Sequence, residues 1–339
     1  MRSDVEDYLD RDEIPEDLNV EEFNQIGPAV LRAQPRGPMP LNLYRYRKKL
    51  NSLVNIYAAG APMPADHLDH LVHLADQGRL FFSRNDQEIY ARCAGSDPDA
   101  ALDDPNLTPE DLAGILVSEI ARRQKELFEH AMVPQLERLV QVVDSLAVYV
   151  GVDYDNIDHL VSVSHRNRDR ERQRVNAGVI ALAIYLQLNR DKVVIENLAP
   201  VSLGFFLYDI GMSRVSRLMT EKTSQLSATE RRKLKEHPRD GLRILEKLGL
   251  DSEEVLEPCQ QHHERIDGSG YPGQLKGKEI GLYGRIAAVA DSFCAMITDR
   301  PHSARRNTVE AAVELLKMDR AYDHRVCRAL VQYLQGIPG

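Results

Sequence analysis

Four cysteines in 339 residues are too few and too scattered to staple the fold or to build a thiolate metal site. Cys93, Cys259, Cys294 and Cys327 show no C-x-x-C spacing and read as buried thiols of a reducing compartment. Long apolar runs are missing too. No stretch reaches the ~18 residues that a membrane-spanning helix requires. The N-terminus lacks the apolar core of a secretory signal and opens instead on an acidic stretch from Asp4 to Glu22. Positive charge is also short: 43 Lys and Arg stand against 52 Asp and Glu, a net charge of -9. A nucleic-acid backbone is therefore a poor main partner, although a small anion held by a local metal or Arg cluster is still allowed. What remains, 43% hydrophobic and 28% charged, is expected to be a folded cytoplasmic protein long enough for two domains.

The pattern changes along the chain in four steps. Residues 1–37 are acidic and then rich in Pro and Gly, which marks a mobile or wrapping segment outside any core. Residues 38–106 hold a small α+β module. LNLYRYR from Leu41 alternates apolar and polar residues, LVNIYAAG follows, and RLFF at 79–82 supplies a third strand. Between them, residues 64–77 place Leu68, Leu71, Val72 and Ala75 on one helical stripe, and a short helix is expected near Gln87–Arg92. SDPDAALDDPN at 96–106 is a linker by composition. Residues 107–154 form a helical connector. It opens with Thr108 as cap and Pro109 at the first helical position, and Pro134 is a kink or break. From residue 155 to the end only helical periodicity appears. The fold class is mainly α: an all-helical C-terminal domain, a helical connector and a small α+β N-terminal domain.

Two groups of histidines invite a metal reading. His67, His70 and His73 lie three apart on one helix and precess by about -60° each, so they fan across its polar side and read as exposed histidines. HHERIDGSGYP, from His262 to Pro272, is different. Adjacent residues on a helix point about 100° apart. Both histidines serve one ion only at a helix end, and the Gly-rich loop supplies that end. On this stretch alone a solvated helix terminus is an equal reading. Partners elsewhere favour the metal: Asp209 ends an apolar run, His237 precedes a Pro-started helix, and Asp291 sits inside an apolar helix where a lone carboxylate would be costly. Asp209, His237, His262, His263 and Asp291 make a mixed N/O donor set suited to Fe, Mn or Zn and to phosphoester hydrolysis.

Over residues 155–335 the sequence resembles the HD-GYP family, a branch of the HD metal-dependent phosphohydrolases. HHExxDGSGYP is complete from His262 to Pro272, HPxxGxxIL is complete from His237 to Leu245, and RIAAVADSFCAMITDRP at 285–301 is similar to the next family block. The resemblance implies an all-helical domain, two or three metal ions (commonly iron) and hydrolysis of the bacterial second messenger cyclic di-GMP. It also implies a signalling role for the N-terminal module. It makes Asp209 and Asp291 the catalytic carboxylates and Arg300 a phosphate contact. Tyr271 approaches the ligand or a partner GGDEF domain, within a loop of Asp267, Gly268, Ser269, Gly270, Tyr271 and Pro272. A second copy of the chain is kept as a further partner.

The departures are specific. The family's HD pair precedes Ile-Gly-Lys, whereas this chain reads Tyr208-Asp209-Ile210-Gly211-Met212. An earlier helix should carry HSxRV, and the matching stretch is ERQRV, with Glu171 in place of His and Asn167 one turn before it. Glu171 is in register with Val175 and Val179 and is expected to point inward as an oxygen ligand. By family correspondence one metal keeps Asp209, His237, His262 and His263, while the other keeps only Asp209 and Asp291. A phenol at Tyr208 titrates near ~10 and is a poor neutral-pH ligand. The expectation is a metal-binding signalling domain with impaired or absent hydrolysis, and the alternative is an active phosphodiesterase with an altered metal site.

Overall fold

In the computed structural model, residues 21–33, 37–166, 172–190, 197–220, 222, 225–298 and 306–336 are described. Two units emerge, residues 1–115 and 116–339. The first strand, β1 (Phe23–Gln25), and the short helix α1 (Pro28–Arg32) come from the stretch that Pro and Gly had marked as outside the core. The difference has a local cause. Pro28 starts a helix, where its missing N–H costs nothing, and Ile26, Val30 and Leu31 are then buried. β2 (Leu43–Arg47) and β3 (Ser52–Tyr57) pair antiparallel across a turn in which Asn51 is left-handed. After α2 (Ala65–Asp76), β4 (Phe81–Ser83) inserts between β1 and β2, giving the sheet order β1-β4-β2-β3. Leu71, Leu74 and Ala75 of α2 join the core under that sheet, and α3 (Gln87–Ala94) and α4 (Pro98–Leu102) complete the unit. The α2 histidines have mundane partners: His67 lies edge-on to Tyr57, and His73 meets the Gln77 side chain at 2.9 Å.

α5 (Pro109–Glu129) leads from the first unit into the second. Its start is capped as the sequence suggests, the Asp111 amide donating to Thr108 Oγ1 at 3.1 Å. The Pro134 interruption falls just before α6 (Val133–Val152), with the proline inside its first turn. The second unit is helical throughout its described residues. α7 (Asn156–Arg166) leads to α8 (Gln173–Asn189), in which every side chain from Val175 to Leu186 is buried. α9 (Leu198–Leu207) packs beside it and is equally enclosed. Short α10 (Arg217–Thr220) and α11 (Ala228–Leu234) precede α12 (His237–Lys247) and α13 (Glu253–Gln261). Helix α14 (Leu282–Ile297) packs against α8 and α13, and α15 (Thr308–Lys317) and α16 (His324–Leu334) close the bundle. Among the described residues no helix is long and apolar enough to cross a membrane.

Candidate metal centre

Helix ends bring the site together. Asp209 follows the C-terminus of α9, His237 is the first residue of α12, and His262 and His263 follow α13. Close backbone approach makes this possible: a Cβ on Gly211 would overlap the His237 carbonyl, so only glycine lets the Asp209 turn lie against the start of α12. His237 and His262 are almost wholly buried. The Nδ1 atom of His237 faces the Leu234 carbonyl at 2.7 Å, and that of His262 faces the carbonyls of Pro258 and Cys259 at 3.0 and 3.1 Å. A carbonyl only accepts, so Nδ1 carries the proton in both rings and Nε2 carries a lone pair.

Those two Nε2 atoms face each other at 3.1 Å. Asp209 Oδ1 is 3.4 Å from one and 3.9 Å from the other. His263 completes the group, the three imidazoles offering ligand atoms all within 4.8 Å of one another. Burial and the neighbouring imidazole push the His262 pKa down to about 4, and burial first of all lowers that of His263 as well. Several electron-pair donors thus converge with no proton between them, which is costly unless a cation sits among them. The three imidazoles, with Asp209 beside two of them, would suit a divalent ion.

At the adjoining position the two carboxylates have protein partners. Tyr208, 3% exposed, donates its hydroxyl to Asp291 Oδ1 at 2.9 Å. Burial first, then the nearby Asp291 and Asp209, raise the phenol well above its usual range, so it stays protonated. Asp291 is only partly buried, and this phenol is one of its partners. The other oxygen of Asp209, Oδ2, accepts from Arg174 Nε at 2.9 Å. Arg174 belongs to ERQRV, a stretch in which the sequence pattern points to Glu171 and not to this residue. The only hint is a cation in the first turn of a helix that is otherwise largely apolar. Met212 lies in the turn after Asp209 and brings a thioether where a phosphate-facing cation was expected. Glu171, Asn167 and Arg300 lie outside the described residues.

The loop after the histidines is built onto them. Glu264, 2% exposed, accepts from the amides of Gly273 at 2.5 Å and Leu275 at 3.1 Å. The Tyr271 amide donates to the His263 carbonyl at 3.1 Å. Its ring stacks on His263 with centroids 4.6 Å apart and lies 6.4 Å from that of His237. Asp267 Oδ1 accepts from the Ser269 amide and hydroxyl at 2.9 and 2.6 Å. Gly268 takes φ 81, a left-handed value. Arg239 donates to the Pro272 carbonyl at 3.2 Å, and Lys235 lies 5.1 Å from the Tyr271 ring centre. The sequence pointed to the loop but not to Glu264 as its anchor, because its acceptors' partners lie nine and eleven residues on.

Residues 158–326 match the HD domain family. A cyclic di-GMP phosphodiesterase from Pseudomonas aeruginosa is 36% identical over 158 residues, 47% of this chain and 37% of that protein. One from Thermotoga maritima is 26% identical over 262 residues, 73% of this chain and 68% of that protein. A Bdellovibrio bacteriovorus protein described as of HD-GYP type has the same fold, with a TM-score of 0.61 at 16% identity over 93% of this chain and all of that one. The chain belongs to the HD-GYP family. Its match thus spans little more than a third of the Pseudomonas relative and about two thirds of the Thermotoga one. Within the HD-GYP domain, the triad of imidazoles is the only cluster of three or more His, Cys, Asp or Glu donors among the described residues.

The depressed histidines predict a pH dependence of metal-free protein. An unfolded imidazole takes up its proton near ~6.5, while folded His262 resists until about 4. Between those values the unfolded state binds more protons, so stability falls as pH drops through this window and is flat above it. Calorimetry of chelated protein is expected to show the melting temperature several degrees lower at pH 5 than at pH 7.5. A His262→Gln variant should lose part of that slope.

Proposed function

We propose that this is a cyclic di-GMP signalling protein whose HD-GYP domain holds one divalent ion and hydrolyses the messenger weakly or not at all, acting as a sensor or an interaction module. One observation carries the reading. A cluster of three histidines, with Asp209 3.4 and 3.9 Å from two of them, stands beside a second position whose carboxylates have protein partners, Asp291 with Tyr208 at 2.9 Å and Asp209 with Arg174 at 2.9 Å. A bound ion supplies Lewis acidity and positive charge. A two-ion site also stabilises the leaving oxygen in an in-line displacement. Here Tyr208 holds a proton where a ligand would have to give one up. The curated relatives named as cyclic di-GMP phosphodiesterases support the choice of messenger. Three imidazoles and a carboxylate suit iron first, with manganese and zinc as alternatives.

Elemental analysis tests this. One equivalent of metal per chain is expected, resistant to mild chelation and lost in His262→Ala and His237→Ala. A metal-free protein, or two equivalents that survive chelation, would overturn it. Calorimetry with cyclic di-GMP then separates a sensor, which binds, from a scaffold, which does not.

A further inference from the structure

Asp209 faces two directions. Its Oδ1 lies 3.4 and 3.9 Å from the Nε2 atoms of His237 and His262, and its Oδ2 accepts from Arg174 Nε at 2.9 Å. One carboxylate therefore stands between a metal position and a guanidinium. Arg174 comes from the first turn of α8, and its guanidinium carbon lies 5.6 Å from the ring centre of Phe128. Nε is spent on Asp209, but among the described residues nothing accepts from the two terminal nitrogens. The side chain is 35% exposed, so those nitrogens are within reach of a ligand. A guanidinium pinned by one edge against a carboxylate and open at the other is suited to forked recognition of a phosphate.

Charge points the same way. Nδ1 of His237 and of His262 rests on backbone carbonyls, which leaves Nε2 of each as a neutral donor toward the metal position. Asp209 and Asp291 bring two negative charges to the cluster, Arg174 brings one positive charge, and neighbouring Glu264 and Arg265 offset each other. With a divalent ion these described groups sum to one net positive charge, the complement of one phosphodiester. Without Arg174 these same groups sum to zero.

We propose that Arg174 is the phosphate-binding cation of this site, its free nitrogens taking one non-bridging oxygen of a phosphodiester whose other oxygen faces the metal position. The assignment rests on the one-ion reading above. It gives the chain's own guanidinium the anion-holding role left open by Met212 and by the closed second position.

The test compares wild type, Arg174→Met and Arg174→Lys. Metal content is measured by elemental analysis, and binding of cyclic di-GMP and of inorganic phosphate by calorimetry. All three proteins are expected to carry the same metal. Arg174→Met should bind cyclic di-GMP roughly tenfold or more weakly, the loss of a charged, forked contact. Arg174→Lys, which keeps the charge and loses the fork, should fall between. Wild-type affinity in the Met variant would overturn the proposal. So would loss of metal in that variant, which would make Arg174 a positioning residue for Asp209. If wild type binds inorganic phosphate but not cyclic di-GMP, and Arg174→Met loses it, the assignment stands and the choice of messenger falls. If wild type binds neither, the assignment falls, and its metal content decides separately whether the one-ion reading survives.

Discussion

Gly270→Val is expected to empty the metal site. A Cβ at this position would lie 2.5 Å from Arg265 N, 2.5 Å from Glu264 Cα and 2.6 Å from the His263 carbonyl oxygen. These are backbone atoms of the segment that carries the histidines, so no side chain can swing aside to make room. The loop must lift, and with it go the Tyr271 amide on the His263 carbonyl and the Gly273 and Leu275 amides on Glu264. Glu264 is then a buried carboxylate without its donors, which is costly in itself. Overpacking against backbone and the lost hydrogen bonds together should cost about 3 kcal/mol or more. In a domain of this size that corresponds to a melting temperature lower by roughly 5–10 °C. Elemental analysis should find little metal in the variant. Tyr271→Ala is the control: it removes the ring from His263 and leaves the loop backbone alone, so metal and stability should persist while ligand or partner binding weakens. Full metal content in the Val variant would refute the idea that the loop fixes the histidine pair.

Hydrolysis of cyclic di-GMP by the natural sequence, supplied with Mn or Fe, is expected to be barely measurable. Combining Tyr208→His, Glu171→His and Met212→Lys should raise it by about two to three orders of magnitude. That figure corresponds to a few kcal/mol of transition-state stabilisation, the scale on which a second ion acts. Tyr208→His is the central change, because it releases Asp291 from the phenol that now occupies it. It is not sufficient alone, since residues that work as one unit are strongly non-additive. The rate of linear product formation, followed by chromatography with metal content measured in parallel, decides the matter. Brisk turnover by the natural sequence would show that the site works without restoration.

The histidine cluster was legible in the chain because its members sit in motifs with structural reasons of their own: a Pro-started helix and a helix end that runs into a glycine-rich loop. The helical character of α14 was equally open to reading, since its apolar residues repeat at helical spacing. The rest depended on pairings between distant residues. Tyr208 finds Asp291 83 residues later, and Arg174 finds Asp209 35 residues later. Nothing in ERQRV or LYDIGMS announces either bond. The misreading at 21–33 has a different origin. Proline content was taken as a sign of irregular chain, but Pro28 stands at the one helical position that suits it. The edge strand before it is only three residues long, too short for alternation to register.

Glu264 has a consequence for how such a domain can drift. Its carboxylate ties the loop to the histidine pair, and the Nδ1 atoms of His237 and His262 rest on backbone carbonyls of their own neighbourhood. None of these supports passes through Tyr208, Asp291 or Arg174. Among the described residues the hydrogen-bonded supports of the two halves are therefore separate, and the halves meet at Asp209 and where the Tyr208 ring lies edge-on to that of His262, 5.0 Å between centroids. A lineage can rewrite one half, residue by residue, without unseating the other. This chain, with its loop complete and its HD pair altered, has the arrangement that such piecemeal inheritance would leave.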